Sequence, residues 1–181
     1  MLMHNFFAAL QSLVAPLPVS TVLEIGCGEG EIGKRIVRFL PSASYYGTDL
    51  DPGIVHTAST HHPSLQFGTL SIYDIPSEPV RADLIVASEV FEHLGEPRMA
   101  MNALLAADFR YLLLSVPREP VWRLLNCLRG KYLLRGGNTP GHVNHWSRAS
   151  FVAFLGTFPA LKIERVASPF PWTMVLCRKS V

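Results

Sequence analysis

The chain has 181 residues, 49% of them hydrophobic and 17% charged, with a net charge of +2. That length suits one domain with a sizeable core, and so small a charge excess gives no argument for nucleic-acid binding. The three cysteines, Cys27, Cys127 and Cys177, lack metal-ligand spacing and read as reduced thiols of a cytoplasmic protein.

In residues 1–20, Phe6, Phe7, Leu10, Leu13 and Val14 fall on one helical stripe. The stretch lacks the basic start of a signal peptide, and Pro16 and Pro18 end it, so it reads as an amphipathic helix packed on the domain. No run in the chain reaches the roughly 18 apolar residues of a membrane span. Residues 21–25 predict a buried strand, 31–40 a helix closed by Pro41, 44–48 a second strand and 52–61 a helix. Strands follow at 65–71 and 82–88. Helical periodicity then covers 89–107, interrupted near Gly95 and Pro97, before a fifth strand at 111–115. An amphipathic basic helix is expected at 121–134 and a helix capped by Ser147 at 148–158. The last two strands, 161–167 and 173–178, have no helix between them and must pair as a hairpin. The fold class is therefore α/β, a Rossmann-like doubly wound sheet of seven strands, mostly parallel with an antiparallel C-terminal strand. One domain spans 1–181, with an N-terminal helix in 1–20 and a lid at 118–146.

Residues 22–35, VLEIGCGEGEIGKR, allow two glycine frames. Gly28, Gly30 and Gly33 spell the dinucleotide pattern G-x-G-x-x-G. Gly26, Gly28 and Gly30 spell G-x-G-x-G, and this frame begins directly off the strand, where backbone N–H groups can approach a ligand. Glu24 would repel a pyrophosphate there but suits a ligand with an ammonium and a sulfonium. Asp49, at the end of the second strand, indicates a ribose without choosing between cofactors.

The ordered segments LEIGCGEG, YYGTDLD, SIYDIP, ADLIVASEVFEHL and YLLLSVP together resemble class I S-adenosylmethionine-dependent methyltransferases over residues 22–117. The resemblance implies S-adenosyl-L-methionine as cofactor. It implies that Glu24 and the turn of Gly26, Cys27, Gly28 and Gly30 hold the methionine end, and that Asp49 holds the ribose with Leu50 against the adenine. Ser71 and Ile72 would approach the adenine edge, with Ser88 completing the set. Many relatives carry an acid where Ser71 stands, and Asp74 is three residues late for that role.

Methyl transfer to oxygen needs a base or a metal to remove the acceptor's proton. Glu89, Glu92 and His93 follow the fourth strand at spacing that gathers them on one face of a helix. The competing reading makes them helix caps. His142 and His145 lie in a glycine-rich loop that can fold over the crevice, or they simply bond the backbone. Glu89, His93, His142 and His145 are the catalytic candidates. The E-x-x-E-H cluster resembles those of small-RNA 3′-end 2′-O-methyltransferases and quinone-biosynthesis O-methyltransferases. That resemblance implies a divalent ion (Mg, Mn, Fe or Zn) on Glu89, Glu92, His93 and His142. Arg118, Arg123, Arg129, Lys131 and Arg135 form either the solvated face of the lid or a rim for phosphate-bearing acceptors or anionic headgroups. The expected function is O-methylation of a small-molecule acceptor. The alternatives are methylation of RNA ribose and a non-catalytic donor-binding partner subunit, with a nicotinamide oxidoreductase last. The oligomeric state stays open.

Overall fold

The computed structural model describes residues 2–130, 132 and 138–180. Strand β1 (Thr21–Ile25) is buried along all but its first residue, as its apolar run requires. Helix α1 (Leu2–Val14) precedes it, and α2 (Glu31–Phe39), β2 (Ser44–Asp49), α3 (Pro52–His61) and β3 (Gln66–Thr69) follow. A short 3₁₀ turn (Ile75–Ser77) leads to β4 (Arg81–Ser88), α4 (Pro97–Ala106), β5 (Asp108–Pro117), α5 (Val121–Leu128) and α6 (Arg148–Leu155). The hairpin β6 (Leu161–Ala167) and β7 (Trp172–Lys179) ends the chain.

Among the described residues, seven strands lie in the order β3-β2-β1-β4-β5-β7-β6. Neighbours from β3 to β5 pair in parallel, and β7 is antiparallel to both β5 and β6. The chain moves outward from β1 to β3, then crosses to β4 on the other side of β1. The carboxyl ends of β1 and β4 therefore border a topological switch point, where such sheets hold ligands. One face of the sheet packs on Phe6, Leu10, Leu13 and Val14 of α1 and Ile36 of α2. The other packs on Met101 and Leu104 of α4 and Phe151 and Leu155 of α6. The N-terminal stripe is thus a packed helix, with Phe6 edge-on to Trp172 at 5.0 Å.

Four expected elements differ. β3 is shorter, because the chain turns at residues 70–74. β5 runs on to Pro117, because β7 offers it a partner as far as Trp172. Residues 89–94 are not helical. Glu89 has φ +59°, and the helix begins only at Pro97, whose ring disfavours a helical Glu96 before it. Val90, Phe91 and Leu94 imitate helical spacing, yet they are held by burial of Phe91 in the core. The basic helix ends at Leu128, and residues 131 and 133–137 of its expected range lie outside those described.

Ser147 caps α6 as its position suggested. Its hydroxyl accepts from Ser150 N at 3.0 Å, and Ser150 Oγ accepts from Ser147 N at 2.9 Å. Ser147→Ala should lower stability by about 1 kcal/mol. Urea denaturation checks this, and an unchanged midpoint would show that the cap contributes nothing.

Candidate active site

Gly26, Gly28 and Gly30 have φ of +70°, +52° and +86°, so the turn between β1 and α2 is left-handed at each glycine of the G-x-G-x-G frame. Gly33 has no such φ and lies inside α2. The backbone therefore supports the frame that starts at Gly26. A Cβ at Gly26 would come 2.5 Å from Val90 Cγ2, which sets the floor of the site against the end of β4.

Above this turn lies a cleft of about 640 Å³. Its walls include Gly26, Cys27, Gly28, Asp49, Leu50, Ser71, Ile72, Ser88, Glu89 and His93. The sequence had placed ten cofactor residues there. Eight line the cleft; Gly30 and Glu24 are not among the lining residues. Gly30 shapes the turn and caps α2. Glu24, in β1 two residues before Gly26, is fully buried and accepts the Tyr45 hydroxyl at 2.5 Å through Oε2. Burial pushes its carboxyl up to about 8, against the lowering effect of that hydrogen bond. Asp49 Oδ2 accepts Gly28 N at 3.0 Å and Oδ1 accepts Asp51 N at 3.1 Å, so the acid is tied to the glycine turn. The sequence reading missed Ile32, Ile54, Leu70, Tyr73 and Leu94, which supply apolar wall. Only their nearness to the turn, to Leu50, to Ser71 and to His93 could have signalled them.

The E-x-x-E-H segment does not act as one face. Glu89 N donates to Ser115 O, and its carboxylate accepts from Ser115 Oγ at 3.1 Å and Trp172 Nε1 at 2.8 Å. Burial raises Glu89 to about 7. Glu92, His93 and His142 do come together, with one ligand atom from each lying within 4.8 Å of the others. Glu89 is not in that group, which corrects the expectation of four gathered residues: without a helix, the i, i+3 relation no longer aligns it. The His93 and His142 rings meet edge-on at 4.9 Å, and His93 Nδ1 lies 3.0 Å from Gly141 O. Glu92 is raised by burial and by the neighbouring Glu89. His142 is lowered to about 4 by burial and by the adjacent His93 and His145, so it is neutral at neutral pH. His145 is not in that group, its Nε2 lying 2.9 Å from Asn138 Oδ1.

The loop that brings His142 is pinned to this turn. Val143 N and Asn144 N both donate to Glu92 O, and Asn144 Nδ2 donates to Phe91 O and Leu94 O. Trp122 and Asn126 of α5 donate to Thr139 Oγ1, which joins α5 to the same loop.

Fold and cleft define a class: a doubly wound sheet with one antiparallel strand near its edge and a glycine turn at the switch point. The family model described as a methyltransferase domain matches residues 23–107. A malonyl-[acyl-carrier protein] O-methyltransferase of Paenibacillus sp. (strain JDR-2) is 30% identical over 90 residues, 46% of this chain and 33% of that protein. The mitochondrial ubiquinone biosynthesis O-methyltransferase of Candida albicans is 29% identical over 125 residues, 64% of this chain and 38% of that protein. This chain thus spans about a third of the length of these curated relatives. Magnesium protoporphyrin IX methyltransferase from Synechocystis PCC 6803, solved with bound SAH, shares the fold with a TM-score of 0.69 at 19% identity, over 99% of this chain and 85% of that one. Residues 23–107 thus match a methyltransferase domain, and the fold is the one seen in solved methyltransferases. No helix among the described residues is long and apolar enough to cross a membrane.

Proposed function

We propose that this chain is a methyltransferase that uses S-adenosyl-L-methionine to methylate an oxygen of a small-molecule acceptor. One observation carries the reading. A single cleft runs from the glycine turn and Asp49 to Glu89 and His93, and His93 also belongs to the group with Glu92 and His142. The donor's methionine end would lie at the glycine turn, its ribose on Asp49, and its adenine among Leu50, Ser71 and Ile72. The donor carries its own activated methyl group, so the chain's task is to align donor and acceptor and to exclude water. The names of the relatives, both O-methyltransferases, support an oxygen acceptor.

An oxygen acceptor must lose its proton. The exposed His93 lines the cleft, and the buried His142, neutral at neutral pH, meets its ring edge-on. The same residues fit a divalent ion. Glu92 Oε2 and His142 Nδ1 are buried without hydrogen-bond partners among the described residues, and with His93 they make a mixed oxygen and nitrogen set. Such an ion would lower the pKa of a bound acceptor oxygen. Glu89 would stay beside the donor, its carboxylate oriented by Trp172 and Ser115.

Incubation with labelled donor tests the proposal. Label should enter a small-molecule fraction of a metabolite extract. Label in RNA alone would favour ribose methylation, and tight donor binding with no label anywhere would favour a non-catalytic partner subunit.

The expected lid remains part of the proposal. Its glycines Gly136 and Gly137 lie outside the described residues. Hydrogen exchange across residues 121–130 and 138–145 should slow when S-adenosylhomocysteine is added. Protection confined to residues 26–50, with none in these segments, would remove the lid.

A further inference from the structure

We propose that Tyr45 is a positioning residue for the donor's methionine end: its hydroxyl holds Glu24 Oε2 and leaves Oε1 to meet a ligand ammonium. The inference rests on the donor reading above. Glu24, two residues before Gly26, is fully buried, and its Oε1 has no hydrogen-bond partner among the described residues. An orphaned carboxyl oxygen in a packed interior is destabilising unless a ligand completes it.

Two glycines make room for the arrangement. A Cβ at Gly47 of β2 would lie 2.6 Å from the Tyr45 hydroxyl oxygen, and a Cβ at Gly33 of α2 would overlap it. Gly33 weakens the interior of α2 and has no left-handed φ to justify it. It serves as a notch for the tyrosine, which also explains why the dinucleotide-like spacing occurs without a dinucleotide frame. The notch lets the hydroxyl reach Glu24 at 2.5 Å.

The titratable groups facing Glu24 are Tyr45 and Asp49 from β2 and Cys27 from the turn. Burial and Glu24 itself push the Tyr45 hydroxyl above its ordinary range, so it stays a donor. Glu24, held up at about 8 by burial, is mostly protonated at neutral pH without ligand. An ammonium favours its ionised form. Affinity for an ammonium-bearing ligand therefore rises as pH approaches about 8.

Calorimetry with two ligands tests this. S-adenosylhomocysteine carries the amino-acid end, and 5′-methylthioadenosine lacks it. Tyr45→Phe should weaken S-adenosylhomocysteine binding about 10-fold at neutral pH and leave 5′-methylthioadenosine unchanged. The pH at which S-adenosylhomocysteine affinity levels off should move upward, because the hydroxyl that lowers the Glu24 pKa is gone. Glu24→Gln should flatten the profile. A Tyr45→Phe profile that superimposes on wild type overturns the proposal, as does an equal loss for both ligands, which marks a merely structural tyrosine. If wild type binds neither ligand, the donor reading itself fails.

Discussion

Asp49→Ala is expected to weaken S-adenosylhomocysteine binding about 10- to 100-fold, the range for losing a hydrogen bond to a charged group. The two carboxylate oxygens of Asp49 now accept Gly28 N and Asp51 N. They stand at the end of β2, beside the turn, where ribose hydroxyls would compete for them. Asp51 has a different task. Its side chain accepts Gly53 N at 2.7 Å and caps α3. Asp51→Ala should therefore lower stability by about 1 kcal/mol and leave affinity within about 3-fold. NAD and NADP should show no binding, since the frame of the turn is not the dinucleotide one. Calorimetry with these ligands and variants decides the matter. Equal losses in Asp49→Ala and Asp51→Ala would show that the ribose acid is misplaced, and tight NAD binding would overturn the donor assignment.

The second large effect concerns the group of Glu92, His93 and His142. Manganese should bind the wild-type protein, and Glu92→Ala should reduce its affinity by at least about 100-fold, the upper end of what even outer-shell changes cost. His142→Ala should do the same. His145→Ala should not, because His145 is engaged with Asn138 outside the group. Glu89→Gln separates the geometry here from the four-ligand expectation. If Glu89 stays with Trp172 and Ser115, the variant retains manganese binding. Titration followed by the paramagnetic signal of the ion reads all four variants. No uptake by wild type in the presence of S-adenosylhomocysteine would return Glu92, His93 and His142 to roles as bases or structural groups.

Local sequence determined much of this protein. Apolar runs ending at glycine, a proline at the start of α3 and of α4, and Ser147 before α6 are signals read by the few residues around them. The glycine frame and Asp49 belong to the same class, since a strand end followed by a tight turn fixes where its next residues stand. The absence of a helix between β6 and β7 likewise required the antiparallel hairpin.

The tertiary structure decided what those signals leave open. Glu89 is turned by Trp172, 83 residues later in the chain, and by Ser115 on the neighbouring strand. No local period carries that information, and the helical spacing of its neighbours pointed the other way. His142 joins Glu92 and His93 because backbone bonds from Val143 and Asn144 to Glu92 dock one loop on another. Glu24 looked like a residue of the cleft wall, yet it is buried, and Tyr45 holds one of its carboxylate oxygens in a space that Gly33 and Gly47 leave open. A side chain beyond the end of a strand is oriented by long-range hydrogen bonds and by the volume its neighbours leave, and both exist only once the sheet has assembled.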